Sequence, residues 1–172
     1  GLALLQGPTL SGKSTLIQCF VNSLHEDCAV AIVDGRDLEP SVLLRSVLDQ
    51  FGYEIELESD NELLGLIRVF ALQQAAHHES PLLVVENTHL LRPAALRAVC
   101  QLADLRINTG SALKIFLVSD RSLQTIITAP AMQSIAKRMT YDFHISPMTQ
   151  PETRDYLYHK LRAAGSVIPE YV

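Results

Sequence analysis

The chain has 172 residues, with 14 Lys and Arg against 19 Asp and Glu, so its formal net charge is −5. With 48% hydrophobic and 19% charged residues, the composition excludes a disordered chain and predicts one globular domain. No apolar run reaches the ~18 residues of a membrane span and no signal peptide is visible, and the acidic balance argues against nucleic acid as a direct ligand.

Apolar patterning predicts strands that alternate with helices. Strands are expected at 1–6, 28–33, 82–85, 113–118 and 140–145. Helices are expected from the end of a glycine-containing loop to residue 24, over 40–51 and 61–76, from residue 93, at 122–127 and 131–136, and over 152–164. Uninterrupted apolar strands are typical of parallel sheets covered on both faces. We therefore predict an α/β fold, a three-layer αβα P-loop domain with a mostly parallel five-stranded sheet.

Some side chains in these elements are expected to face the interior. In the helix over 61–76, the expected apolar face is Leu63, Leu64, Ile67, Phe70 and Leu72. In the last helix, the expected inward residues are Tyr156, Leu157, Leu161 and Ala164. The three cysteines, Cys19, Cys28 and Cys100, lack metal-type spacing and are expected to be buried free thiols of a reducing compartment.

Residues 7–14 match the phosphate-loop pattern G-x-x-x-x-G-K-[ST] between a predicted strand and a predicted helix. Its glycines let backbone N–H groups approach an anion closely. We expect Lys13 to reach the β- and γ-phosphates and Ser14 to bind Mg²⁺. Because no [NT]-K-x-D guanine motif occurs, ATP is the expected nucleotide. The candidate nucleotide-binding residues are Gly7, Pro8, Thr9, Leu10, Ser11, Gly12, Lys13, Ser14 and Thr15.

Hydrolysis also needs an acidic residue at the metal and a group that activates water. At the end of the third strand the sequence places Glu86 and then Asn87. Glu86 is the candidate metal residue beside Ser14, whereas Asn87 cannot accept a proton, so the contribution of a general base, about 10²- to 10⁴-fold, is missing there. His89 is titratable and could replace it, although a capping or surface histidine is the simpler interpretation.

The end of the fourth strand offers one more candidate. Ser119 and Asp120 either sense the γ-phosphate or simply terminate that strand.

Several segments together resemble one AAA-type ATPase group, that of general secretion pathway protein A, the MSHA pilus biogenesis ATPase and DamX-like cell-division proteins. They are the phosphate loop, 84–91, 113–118, 136–139 and 147–165. The resemblance implies bound Mg²⁺ and ATP, with Glu86 and Asn87 where the family usually has Asp and the catalytic Glu. It also implies that Arg138 reaches the γ-phosphate of a neighbouring subunit in a homo-oligomer. The candidate catalytic residues are thus Glu86, Asn87 and Arg138.

The resemblance further implies how the chain is organised. We expect a nucleotide-binding α/β domain over 1–146, then a linker and the truncated first part of a helical lid over 147–172. Both ends look cut, so we expect a fragment of a longer protein that could carry a membrane anchor. The domain itself is expected in the cytoplasm, with a protein partner that could be membrane-associated.

Two other functions stay open. Asp34 and Asp37 resemble the acidic pair of small-molecule P-loop kinases such as adenylylsulfate kinase, but a solvated turn is the simpler interpretation, and such kinases lack the pattern over 138–165. The second open function is a non-catalytic scaffold, which is supported by Asn87 because this residue cannot activate water. We predict an Mg²⁺- and ATP-binding domain that is at most a weak ATPase. It would act as a conformational or assembly switch in bacterial secretion, pilus assembly or cell division.

Overall fold

The computed structural model describes residues 1–56, 59–77, 80–107, 110–123 and 139–165. The strands in these ranges are β1 (Leu2–Gln6), β2 (Val30–Asp34), β3 (Leu82–Glu86), β4 (Arg106–Ile107), β5 (Gly110–Ser111), β6 (Lys114–Ser119) and β7 (Met139–His144). The α-helices are α1 (Lys13–Asn22), α2 (Pro40–Gln50), α3 (Asp60–Ala76), α4 (Pro93–Ala103) and α5 (Gln150–Ala163), and a 3₁₀ turn covers Thr88–Leu90.

The main sheet has five strands in the order β2-β3-β6-β1-β7. All four neighbouring pairs are parallel, which confirms the predicted architecture. The five predicted strands are present with ends shifted by one or two residues. The small antiparallel hairpin of β4 and β5 was not predicted, because two residues per strand are too few to show a periodic pattern.

Helices cover both faces of this sheet. Leu83 and Val85 of β3 join a large core with side chains of α2, α3 and α4. Leu82 and Val84 of the same strand point to the opposite face and join a smaller core with Ile17 of α1. Alternate residues of one strand are therefore both buried, which explains why the sequence of this strand is continuously apolar.

Two predicted helix faces differ from the structure, one at a single residue and the other entirely. In α3, Leu72 is 42% exposed and Ala71 is buried, because the buried stripe advances by four residues per step from Leu63 through Ile67 to Ala71. In α5, no residue is buried, so the predicted inward positions are all on the surface: Tyr156, Leu157, Leu161 and Ala164. Neither core contains a residue of α5, and its apolar side chains therefore have no described core to enter.

The cysteines differ in exposure. None of the three forms a disulfide; Cys100 is buried and Cys28 half-buried, but Cys19 is exposed, which corrects the prediction for that residue. Helix α1 buries Lys13 and Ile17, and Cys19 lies two residues further, about 200° around the helix, on the solvent side. No helix in the described ranges combines the length and the apolar character needed to cross a membrane. The short helices predicted at 122–127 and 131–136 fall almost entirely outside those ranges.

Candidate functional site

A cleft of about 780 Å³ lies at the carboxyl ends of the parallel strands, where ligands of α/β sheets bind. Its size is typical of small-molecule sites. One wall is the phosphate loop and the first turn of α1, residues 9–16. The other lining residues are Cys19, Arg36, Glu86, Asn87, Val118, Asp120, Met148 and Tyr156. The sequence-predicted loop and the end of β3 therefore share one cleft.

The phosphate loop has a backbone that two glycines make possible. Gly12 caps α1 with φ 91°, a left-handed conformation in which a side chain is strained. A Cβ atom on Gly7 would lie 2.4 Å from the carbonyl oxygen of Ile145, closer than any real contact. The first turn of α1 lines the cleft, and the unpaired N–H groups of a helix N-terminus are suited to bind an anion.

Lys13 is buried, with 5% of its side chain exposed. Its ammonium group donates to the carbonyl oxygens of Gly7 at 2.8 Å and of Pro8 at 2.7 Å. It also forms an ion pair with Asp120, with 2.8 Å between Nζ and Oδ1. The hydrogen bond from Lys13 holds the pKa of Asp120 below its ordinary value. The lysine that the loop offers to a phosphate is thus already bonded to one carboxylate and two carbonyl oxygens.

Of the two candidates at the end of β6, Asp120 faces the cleft. Its second oxygen accepts a hydrogen bond from Thr9 Oγ1 at 3.0 Å. Ser119 is buried and its hydroxyl donates to the carbonyl oxygen of Arg121 at 2.5 Å. Asp120 is therefore the residue placed to compete with a phosphate for Lys13.

Asn87 follows β3 in a left-handed conformation, with φ 53° and ψ 35°. Asn adopts this region more readily than most residues. Its Nδ2 donates to Oδ1 of Asp34 at 2.9 Å, and the two strands are in register at Asp34 and Glu86. The sequence did not reveal this contact, because the two residues are far apart in the chain; only the adjacency of their strands could have indicated it.

His89 contacts the same end of β6. Its Nδ1 accepts a hydrogen bond from the backbone N–H of Asp120 at 3.4 Å. Desolvation lowers the pKa of His89, and the charge of Asp120 opposes this effect only in part. His89 is not among the residues that line the cleft. These contacts support the capping interpretation of His89 over a catalytic one.

The two carboxylates of the kinase hypothesis have different partners. Asp34 binds Asn87 and also Arg36, whose Nε lies 3.1 Å from Oδ2. Asp37 is 81% exposed and pairs with Nε of Arg92 at 2.8 Å, which lowers the pKa of Asp37. Neither carboxylate lines the cleft, so the structure does not present them as a pair to a substrate.

The residues present fit a magnesium ion bound together with a nucleotide. Ser14 and Glu86 line the same cleft and offer oxygen atoms, and Mg²⁺ at such sites keeps several waters and takes one or two protein ligands plus phosphates. The described residues include no group of three or more His, Cys, Asp or Glu that could hold a metal, so phosphate oxygens and waters would have to complete the coordination of the ion. The ion would neutralise phosphate charge. Arg138 lies outside the described residues.

Comparisons with known proteins agree with this geometry. The family model described as "AAA domain" matches residues 1–127. General secretion pathway protein A of Aeromonas hydrophila is 29% identical over 171 residues, which cover 98% of this chain and 31% of that protein. The chain thus spans less than a third of that relative.

Solved structures share the fold. Cdc6p of Pyrobaculum aerophilum has a TM-score of 0.73 at 15% identity, covering 94% of this chain and 43% of that one. The ADP form of ORC2 of Aeropyrum pernix has a TM-score of 0.74 at 12% identity, covering 94% and 46%. Domain III of the replication initiation protein DnaA of Thermotoga maritima has a TM-score of 0.60 at 17% identity, covering 100% and 65%.

Proposed function

Because the chain belongs to the AAA domain family, as the match over residues 1–127 shows, we propose that it binds Mg²⁺ and ATP as a conformational or assembly switch with slow hydrolysis. The observation that carries this proposal is one cleft that Lys13 and Ser14 line together with Glu86 and Asn87. One side of this cleft has the groups that bind phosphates. The other side lacks a carboxylate at the position where water would be activated.

The switch is supported by the ion pair between Lys13 and Asp120. A γ-phosphate that binds Lys13 would compete with Asp120 for the same ammonium group, so the end of β6 would have different partners with and without nucleotide. Two further residues line the same cleft: Met148, which precedes α5, and Tyr156, which belongs to it. A ligand shifts a conformational equilibrium when it contacts the two states differently, and these residues supply such contacts.

Slow hydrolysis is supported by Asn87. An amide orients water but does not accept its proton, so turnover would lack the general-base contribution of about 10²- to 10⁴-fold. Glu86 would hold the metal with Ser14.

The place of the domain in the cell rests on its relative, which is named for general secretion. We propose a bacterial envelope process, with secretion first and pilus assembly and cell division as alternatives, and a cytoplasmic domain that contacts a protein partner. A homo-oligomer in which Arg138 reaches a neighbouring γ-phosphate belongs to the same proposal.

The boundary between a nucleotide-binding domain at 1–146 and the start of a lid at 147–172 is also proposed. It is supported by α5, which begins with a capping box of Thr149 and Glu152 and buries none of its residues.

Calorimetry with MgATP and MgADP tests the proposal, followed by phosphate release from the same samples. Lys13→Ala should weaken ATP binding by about 10- to 100-fold, the value of a hydrogen bond to a charged group. Lys114→Ala is the matched control, because Lys114 is an exposed lysine at the opposite end of β6. Equal binding by wild type and Lys13→Ala would overturn nucleotide binding at the loop, and release faster than about 1 s⁻¹, within the range of ordinary enzymes, would overturn slow hydrolysis.

A further inference from the structure

The amide of Asn87 has one orientation that its neighbour permits. An ionised carboxylate only accepts hydrogen bonds, whereas an Asn side chain has a donor end and an acceptor end. Because Oδ1 of Asp34 lies 2.9 Å from Nδ2 of Asn87, the NH₂ group faces Asp34. The carbonyl oxygen of Asn87 is therefore turned away from Asp34.

Asp34 is itself held in place. The backbone N–H of Arg36 donates to its Oδ1 at 3.2 Å, and Nε of Arg36 lies 3.1 Å from its Oδ2. The parallel register sets Asp34 beside Glu86, the residue before Asn87. Asn87 lines the cleft and Asp34 does not, so Asp34 acts from behind Asn87.

From this arrangement we infer that Asp34 is a positioning residue for hydrolysis. It fixes the amide of Asn87 so that the Asn87 carbonyl oxygen accepts a hydrogen bond from the water that attacks the γ-phosphorus. The inference rests on the proposed function, because it requires ATP in the cleft. A side-chain amide without basic character performs this orienting task in some GTPases. Asn87 then accounts for turnover that is slow but present.

The step balances without a protein base. The water oxygen forms a bond to the γ-phosphorus, and the bond from that phosphorus to the β,γ-bridging oxygen breaks, with its electron pair going to the leaving diphosphate. The water proton passes to an oxygen of the transferred phosphate, since an amide carbonyl does not retain it. Asn87 contributes orientation alone, and Asp34 contributes the orientation of Asn87.

Asn87 has a backbone role that must be separated from this one. Its φ of 53° suits glycine as well as asparagine. Asn87→Gly therefore keeps the turn after β3 and removes only the amide. Asp34→Asn is isosteric and replaces a group that only accepts hydrogen bonds with one that both donates and accepts, so that either end of the Asn87 amide can face position 34. Asp37→Asn is the matched control, because Asp37 pairs with Arg92 outside the cleft.

The orientation is tested without turnover by NMR of the ¹⁵N-labelled protein. The Asn87 side-chain amide resonances, identified by their loss in Asn87→Gly, should keep their wild-type positions in Asp37→Asn. They should move in Asp34→Asn, which no longer fixes the direction of the amide. Unchanged Asn87 resonances in Asp34→Asn would overturn the inference, whether or not ATP binds.

The catalytic consequence is tested by MgATP calorimetry and phosphate release on the same four proteins. Asn87→Gly and Asp34→Asn should each release phosphate about 10-fold more slowly, a change of ~1.4 kcal/mol in the barrier, with ATP affinity within about twofold of wild type and with Asp37→Asn unchanged. Wild-type rates in both variants would overturn the inference. If the wild type binds ATP but releases no more phosphate than Lys13→Ala, the inference is overturned and the proposed switch is not. If the wild type does not bind ATP, the proposed function itself is refuted.

Discussion

Nζ of Lys13 lies 2.8 Å from Oδ1 of Asp120, so the lysine that the phosphate loop presents to a nucleotide is bonded to an acid of a neighbouring strand end. Asp120 is anchored by Thr9 as well. A phosphate that binds Lys13 would therefore exchange one anion for another, rather than add an anion to an unpaired cation.

We expect Asp120→Asn to bind MgATP about fivefold more tightly, since it removes a competing ion pair of ~1 kcal/mol and a negative charge that would lie near the phosphates. Calorimetry measures the change. Asp49→Asn alters the net charge equally at an exposed site of α2 and should leave affinity unchanged. Weaker binding by Asp120→Asn would show that Asp120 supports the nucleotide rather than competing with it.

Acid should destabilise the fold through His89. Its pKa is lowered from the ordinary value of 6.5, chiefly by desolvation, so the unfolded chain binds this proton more readily than the folded one. The stability that depends on neutral His89 is complete above about pH 6.5 and is lost as the pH falls through the lower folded pKa.

Urea unfolding at several pH values between 7.5 and 5 measures this dependence on His89. The free energy of unfolding should fall more steeply toward acid in the wild type than in His89→Asn, which offers an uncharged acceptor to the N–H of Asp120. An equal pH dependence of the free energy of unfolding in the two proteins would show that His89 is not its source.

Gly7 and Gly65 should respond oppositely to the same substitution. Gly7→Ala places a Cβ atom against a backbone oxygen at 2.4 Å and should reduce the free energy of unfolding by about 1 to 3 kcal/mol, as overpacking does. Gly65, within α3, has nothing within 4 Å of the added atom, and Gly65→Ala should raise stability by about 0.5 to 1 kcal/mol. Urea unfolding of both variants measures the two changes in the free energy of unfolding. An unchanged value for Gly7→Ala would show that the backbone at Ile145 shifts to make room for the added atom.

Turnover should rise when the acid and the amide exchange places. Asn87→Glu alone sets two carboxylates side by side and adds about 1 kcal/mol of left-handed backbone strain. In the double variant Asp34→Asn with Asn87→Glu, the amide at 34 can donate to the new carboxylate. We expect the double variant to release phosphate at least about 10-fold faster than wild type and faster than Asn87→Glu.

Phosphate release across this double-mutant cycle isolates the coupling between the two positions. Additive effects would show that Asp34 and Asn87 act independently.

Local pattern predicted most of the fold and only part of the site. The phosphate loop and the strands could be found because their signals are confined to short segments, such as the continuous apolar run of β3. The Asp34–Asn87 contact could not, since it depends on which strands become neighbours. The burial of α5 was predicted wrongly because helical periodicity shows which residues share a face; it does not show whether that face, with Tyr156 and Leu161, meets a partner.

The close approach of Gly7 to Ile145 connects the start of the phosphate loop tightly to the residue that follows β7. The N–H of Ile145 donates to the carbonyl oxygen of Gln6 at 2.7 Å, and the Gln6 side chain donates to Asp142 at 2.7 Å. With no free space at Gly7, a displacement of the loop must carry Ile145 along. The four residues after Ile145 lead directly to the first residue of α5, so a displacement of the loop would reach that helix through residues 146–149.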